Sequence, residues 1–544
     1  MGLREKRETA LAPAELARHR ADLAKASGRR RLDLILDSRN PQALVRALPA
    51  DELYLTIRDI GLADAFPLVG LASAEQFKVF LDLDAWRGET FEPRRAMTWL
   101  RAARAGALDD PKAAARWARK LSTLDKELLF LTLRSALLIH DLEEDEDPEI
   151  ESDRFMRTPE NKFIVEFLVD GNDYTAVKGI LDDLYADNPF MATRLLSAIR
   201  WELDSELTET GFRWRNARLA DLGIPSLEDA ISWFARPPSA PASHPGAPAR
   251  PPGFWIAAHP GAGLLDRAAA RLSDDERDLL EPELMAAANA VVVADAIDPG
   301  DVESVTRALA GARALIELGL EQRAGADEAK AAEALGALPL KRLFQEGFGR
   351  ILSLKWRVDR LFREHGIGTR DRPLLDPPLG EALAALSLKR PRFHPGLEVE
   401  RSQWGAPALS AAVARPFLSS LDLTRATAAV DAAEGLVALA GKLGLLPKPG
   451  EAAEHRLSAL WLTALANERL GRPLAPAPIP RSELRAASDA IHAGGVDHPS
   501  LAASGDAGAL LASLAAVRAE ELRATADAAA GSSDPRSIAA LVCR

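Results

Sequence analysis

Seven of the seventeen residues from Arg236 to Pro252 (RPPSAPASHPGAPARPP) are proline. Proline has no amide donor and fixes φ, so this stretch cannot join a helix bundle. It is expected to be an extended, solvated linker. It separates residues 1–235 from residues 253–544, and each side must bury its own apolar surface.

With 544 residues the chain exceeds one ordinary core, and two to four domains are expected. An apolar fraction of 47% and a charged fraction of 27% are those of a globular protein that folds in water. The pattern predicts a mainly α protein: a helical-repeat-like array with one β-hairpin, the Pro-rich linker, then a second all-helical domain. The boundaries are 1–140 for the array, 141–153 for an acidic segment, 154–235 for the hairpin plus helices, 236–252 for the linker and 253–544 for the C-terminal domain.

Short helices fill the first 140 residues. Ser73 with Gln76 makes a capping box, and Asn40-Pro41 makes a cap followed by proline at the first helical position. A repeat of 23 residues relates Leu48, Glu52, Tyr54, Ile57, Asp59 and Ile60 to Leu71, Glu75, Phe77, Phe80, Asp82 and Leu83. That period suits a helix-and-turn unit burying its apolar stripe on a neighbour. Helices are expected at Glu92–Gly106, Pro111–Leu121 and Leu124–His140. Phe155–Arg157 and Lys162–Val169, around Thr158-Pro159-Glu160-Asn161, then read as two strands and a tight turn. An isolated hairpin is marginal in water, so it must pack on helices or find a further strand. Beyond the linker the chain is Ala- and Leu-rich and helical almost throughout. Ser273 with Glu276 makes a second capping box, and Ala408–Leu443 is expected to break at Pro416.

Charge is distributed unevenly. Asp141 to Glu151 (DLEEDEDPEIE) carries eight carboxylates and no base, and Asp153 adds a ninth. Glu143, Glu144, Asp145, Glu146 and Asp147 are its candidate docking residues for a basic protein partner. The spacing lacks the alternating Asp/Asn pattern and central Gly of a calcium loop, and the plainer alternative is a solvated, self-repelling connection. A net charge of −12 argues against wholesale nucleic-acid binding. There are 54 Arg and 14 Lys, which a GC-rich genome explains without phosphate recognition.

A second cluster, GFRWRNARLADLG (Gly211–Gly223), sets Arg215 and Arg218 on successive helical turns, with Arg213 in reach of Glu209. Trp214 could give an apolar face or a cation–π partner. One alternative is an anion- or partner-binding site made of Arg213, Trp214, Arg215 and Arg218. The other is an ion-pair ladder that positions this helix against the hairpin. Leu340–Glu364 is basic and amphipathic. Leu343, Phe344, Phe348, Ile351, Leu354, Val358, Leu361 and Phe362 form its stripe, and Lys341, Arg342, Arg350, Lys355, Arg357, Arg360 and Arg363 fill the remainder. It could meet a membrane surface, contact the acidic segment 141–153, or simply be a core helix with a solvated face.

Enzyme signatures fail one by one. Gly435 to Lys442 is one residue too long for a phosphate loop and lacks the Ser/Thr; there is no H-E-x-x-H and no G-x-S-x-G. The nine His have no second ligand at i+3 or i+4, and the lone Cys543 can make no internal disulfide or cysteine metal site. No catalytic residue, metal or cofactor is therefore assigned. The charged start MGLREKRETA is unlike a secretory signal and no apolar run reaches the roughly 20 residues of a membrane span, so a cytoplasmic protein is expected.

Two segments, LPADELYLTIRDIGLADAFPLVGLASAEQFKVFLDLDAW (Leu48–Trp86) and GFRWRNARLADLGIPSLEDAI (Gly211–Ile231), resemble those of a bacterial family known as a domain of unknown function, from bacteria of the myxobacterial and deltaproteobacterial kind. The resemblance covers most of the chain. It implies a mainly helical protein and carries over no activity, substrate or catalytic residue. The short-helix rhythm of Asn40–Trp86 is also similar in pattern to the superhelical N-terminal domains of magnesium transporters and to flagellar-motor switch proteins, which bears on fold alone. The leading functional expectation is a non-catalytic interaction or scaffold protein. The alternative is an enzyme with a site between the hairpin and the Gly211–Gly223 helix, using Glu202, Glu206, Arg215 and Arg218.

Overall fold

The structure, a computed structural model, describes residues 13–26, 28–105, 107, 110–236, 263–365, 374–447, 454–529 and 541–542. Apart from Arg236, the Pro-rich linker lies outside the described residues, and so does Cys543. The chain divides into two units, Met1–Arg313 with Ala326–Arg342, and Ala314–Gly325 with Leu343–Arg544.

The first unit begins with short helices: α1 (Pro13–Lys25), α2 (Gly28–Leu36), α3 (Pro41–Ala47), α4 (Ala50–Ile60), α5 (Phe66–Leu71) and α6 (Ala74–Asp84). The expected caps are present. Asn40 accepts from the Ala43 amide, and Ser73 and Gln76 bond reciprocally. Gln76 also donates from Nε2 to the Val45 and Leu48 carbonyls, both at 2.8 Å, so the cap of α6 ties down the end of α3. The two repeat copies are α4 and α6, which pack on each other. Their equivalent residues Tyr54, Phe77, Ile57 and Phe80 are fully buried. Burying each such side chain contributes about 1.5–3 kcal/mol, which makes this pair the centre of the unit's core.

An unexpected two-stranded ribbon follows, with β1 (Trp86–Arg87) paired to β2 (Thr90–Phe91). Next come α7 (Pro93–Ala105), α8 (Pro111–Thr123) and α9 (Lys126–Arg134). Here the expected helix Leu124–His140 is corrected. It stops at Arg134, and Leu137–Asp141 is β3. The expected hairpin strands are β4 (Phe155–Arg157) and β5 (Phe163–Phe167). The sheet order is β3-β5-β4, all antiparallel. The hairpin thus has its third strand, and the acidic segment joins two strands of one sheet. The expected placement, between a helical block and the hairpin, is corrected accordingly.

The sheet buries Leu137, Ile139, Phe163, Val165 and Phe167 on one face. After it come α10 (Gly171–Asp187), α11 (Pro189–Trp201), α12 (Asp204–Asp221) and α13 (Leu227–Ser232). Beyond the Pro-rich stretch the unit continues through α14 (Leu264–Ala269), α15 (Asp274–Ala294), the start of α16 (Val302–Ala324), α17 (Glu328–Ala337) and the first residues of α18 (Leu340–His365). Helices from both sides of that stretch pack together: α13 lies on α15, and Asn289 donates to the Gly223 carbonyl at 3.0 Å.

The second unit takes the end of α16 and most of α18. There a methyl group added at Gly319 would collide with the Leu343 carbonyl, and one at Gly347 with that of Leu315, so glycine lets these backbones touch. The unit adds α19 (Leu379–Ser387), α20 (Ser420–Lys442), α21 (Leu457–Arg469), α22 (Leu484–Gly494), α23 (Pro499–Ala502) and α24 (Gly505–Ala529). Short 3-10 turns occupy Pro407–Ala411, and the helix expected from Ala408 begins at Ser420. The core is built from α20, α21 and α24, with Val430, Leu436, Trp461 and Leu511 fully buried. At its centre Asp376 accepts from the hydroxyl and amide of Ser458 and from Arg518, all three residues being buried.

Candidate interaction surface

Helix α12 places the arginine cluster. It packs on α9 and α6, rather than against the hairpin as one of the two expected alternatives had it. Packing decides this: Gly211 lies against the ring of Trp86, and Leu207 and Leu219 are buried. Arg218 then grips Asp82 with two bonds, Nε at 2.6 Å and Nη2 at 2.9 Å, and Nη1 reaches Asp125 at 2.6 Å. Arg215 donates to the Asp82 carbonyl at 2.8 Å and lies over the rings of Trp86 and Phe212.

Asp82 is fully buried. Burial pushes its carboxyl up, against the pull of Arg218 and Arg215. Burial also lowers Arg218, but its bonds and proximity to Asp82 and Asp125 outweigh this and hold it above its ordinary value. The outer residues of the cluster differ. Arg213 pairs with Glu209 in solvent at 3.1 Å, and Trp214 is exposed. The four residues do not converge, since two point into the core and two point out.

The groups named for an enzyme site also stay apart. Glu202 and Glu206 are exposed, whereas Arg215 and Arg218 are turned onto Asp82. Asp84, two residues along, diverges from Asp82 as helix geometry requires. It accepts from Tyr54 Oη at 3.1 Å and Trp99 Nε1 at 2.8 Å. An open depression of about 300 Å³ lies between α7, α8 and α10. Its Asp183 accepts from Arg104 Nε and Trp117 Nε1, and its other lining is mostly alanine. Among the described residues no group of three or more His, Cys, Asp or Glu could hold a metal ion. No helix among them is long and apolar enough to cross a membrane.

The sheet's second face is different. Leu138, Glu166 and Phe155 stand in one row across β3, β5 and β4. Leu138 and Phe155 are exposed, as is Leu168 just past β5. Between them Glu166 is buried, held by His140 Nε2 at 2.5 Å and the Ser152 amide at 2.9 Å. The acidic connection borders this face. Lys162 pairs with Glu143 at 3.2 Å and Arg200 with Glu144 at 3.5 Å. Asp145, Glu146, Asp147, Glu149, Glu151 and Asp153 are exposed, with no cation in ion-pair range among the described residues.

Basic residues of α18 have partners within the second unit. Arg350 donates to the Leu318 carbonyl, Arg357 pairs with Asp431 and Glu434, and Lys355 reaches Asp359 and the Ser387 carbonyl.

A family model described as a family of unknown function (DUF6178) matches residues 6–532. The chain belongs to that family. Both resembling segments, Leu48–Trp86 and Gly211–Ile231, lie inside the matched span. No curated protein and no solved structure matches the chain. Family membership adds no chemistry to the geometry. The apolar residues Leu138, Phe155 and Leu168 beside the acids were not expected as a surface: Leu138 lies in the stretch expected as helix, and Phe155 and Leu168 lie in the expected strands, which were read for fold alone.

Proposed function

We propose that this protein is a non-catalytic interaction protein. Its contact surface is the outer face of the three-stranded sheet together with the acidic connection, and its partner is a protein segment rich in Lys or Arg. One observation carries this reading. Six exposed carboxylates without cation partners among the described residues border three exposed apolar side chains. Apolar contact with a charged rim is the make-up of a protein interface. The arginines of α12 support the same reading from the other side: Arg215 and Arg218 are committed to Asp82 and are not available to a ligand.

The test is a titration of the full chain with a short lysine oligopeptide. Binding should weaken steeply with salt, because attraction between exposed charges is screened. It should be lost when Asp145, Glu146, Asp147 and Glu149 are changed together to their amides. Equal binding by the amide variant would overturn the proposal.

A further inference from the structure

We infer that the partner docks as an added strand on the free edge of β4; this rests on the reading just given, and names its mode. The register fixes which backbone groups face which way. Phe167 N–H donates to the Arg154 carbonyl at 2.9 Å, and Thr158 N–H donates to the Phe163 carbonyl at 3.0 Å. Residues 154 and 158 therefore turn their amides and carbonyls toward β5. In an antiparallel ladder that direction alternates along the strand. Between them, Phe155 and Arg157 turn theirs off the sheet. Both residues are exposed, and β5 is the one substantial neighbour of β4 among the described elements.

The two edges of the sheet are unequal. On β3 the helix α11 packs alongside, and Arg200 of that helix reaches Glu144. On β4 no such cover exists among the described elements. Sheets usually guard a free edge with charge, a bulge or a covering element. Here Arg157 supplies a single charge, and the carboxylates of Glu149, Glu151 and Asp153 run directly into the strand. That combination repels an acidic strand and a second copy of the same acidic edge, and it attracts a basic one.

Strand addition supplies affinity through main-chain bonds and selectivity through alternate side chains. A three-residue edge offers few such bonds, so the acid–base attraction must supply much of the binding. The segment that fits is extended and rich in Lys or Arg along the acidic connection. It has an apolar residue against Phe155 and a neutral or acidic one opposite Arg157. A lysine helix would satisfy the charge but not the edge.

The experiment uses the full chain and three probes: an alternating lysine–valine peptide, the same peptide with every backbone N–H methylated, and a lysine oligopeptide. Methylation keeps charge and side chains but removes the donors. Strand addition predicts about a tenfold or greater loss of affinity on methylation. It also predicts slowed amide exchange at Phe155 and Arg157 with the parent peptide. Phe155→Pro should reproduce the loss, since that N–H faces off the sheet, while Phe155→Ala should retain most of the edge contribution. Equal affinity of parent and methylated peptides, with binding still lost in the amide variants, overturns strand addition and leaves the acidic surface standing. Salt-independent binding that ignores the amide changes overturns both.

Discussion

Helix α12 and the acidic connection both stand out in the sequence as concentrations of charge, and the fold uses them in opposite ways. In α12 two of the arginines, Arg215 and Arg218, turn inward, and Arg213 stays in solvent. Arg218 meets a fully buried Asp82, and the pair is closed by Asp125. In the connection the carboxylates turn outward, and six have no cation partner among the described residues. Local density of charge therefore does not distinguish a structural element from a contact surface. Whether each charge finds an opposite one under cover does.

The sharpest way to break this comparison is at Asp82. Removing one member of a buried ion pair leaves the other uncompensated, at about 3–5 kcal/mol. Asp82→Asn should cost that much in denaturant unfolding. A double replacement, Asp82→Leu with Arg218→Met, should cost less than the sum of the single changes, because an apolar pair can replace a buried ionic one. A cost under about 1 kcal/mol for Asp82→Asn would mean that α12 behaves like the exposed surface. The contrast with the connection would then be lost.

Glu166 stands between the two cases. It lies on the outer sheet face, yet it is buried and takes bonds from His140 and the Ser152 amide. Glu166→Ala should cost about 1.5–3 kcal/mol, the range for a hydrogen bond to a charged group. The chain at Ser152 should also loosen, which amide exchange would read. No change in stability or exchange would place Glu166 with the solvated acids, and the border between the two kinds of charge would have to move.

Lys120 is a third arrangement, a buried amine with no carboxylate partner among the described residues. It donates to the Gly70 carbonyl at 3.0 Å, at the end of α5, and is almost inaccessible. Burial, with Arg116 and then Arg46 adding repulsion, brings its pKa down to about 8. The unfolded chain, with a lysine near ~10.4, binds more protons in the interval above 8. Stability should therefore rise as pH increases through the folded value, by about 1 kcal/mol from pH 7 to pH 9. Lys120→Met should flatten that rise. An unchanged pH profile in the variant would show that the amine is not held in this state.

Local sequence signals were sound guides to structure, and non-local ones were not. The caps at Asn40, Ser73 and Ser273 need residues within one helical turn, and each is present. The strands β4 and β5 are marked by the turn between them. In contrast, Leu137–Asp141 continues the apolar run of α9, and the turn at Ser135-Ala136 has no Gly or Pro to mark it; its strand identity comes from pairing with Phe163–Phe167 across the acidic connection. Arg218 and Asp82 are 136 residues apart, and no spacing rule joins them. The free edge of β4 follows from the sheet order, which a single sequence does not state.

The smallest expected effect closes the comparison from the acidic side. Changing Asp145, Glu146, Asp147 and Glu149 to their amides should alter stability by no more than about 0.5 kcal/mol, as surface substitutions usually do. The sign at low salt should be stabilising, because neutralising like charges relieves self-repulsion, and added salt should erase the gain. Binding should respond in the opposite sense and far more strongly. A protein that gains slightly in stability while losing its basic partner has surface charge kept for contact. If the same changes destabilise the fold, the carboxylates hold the sheet together, and the connection becomes a second α12.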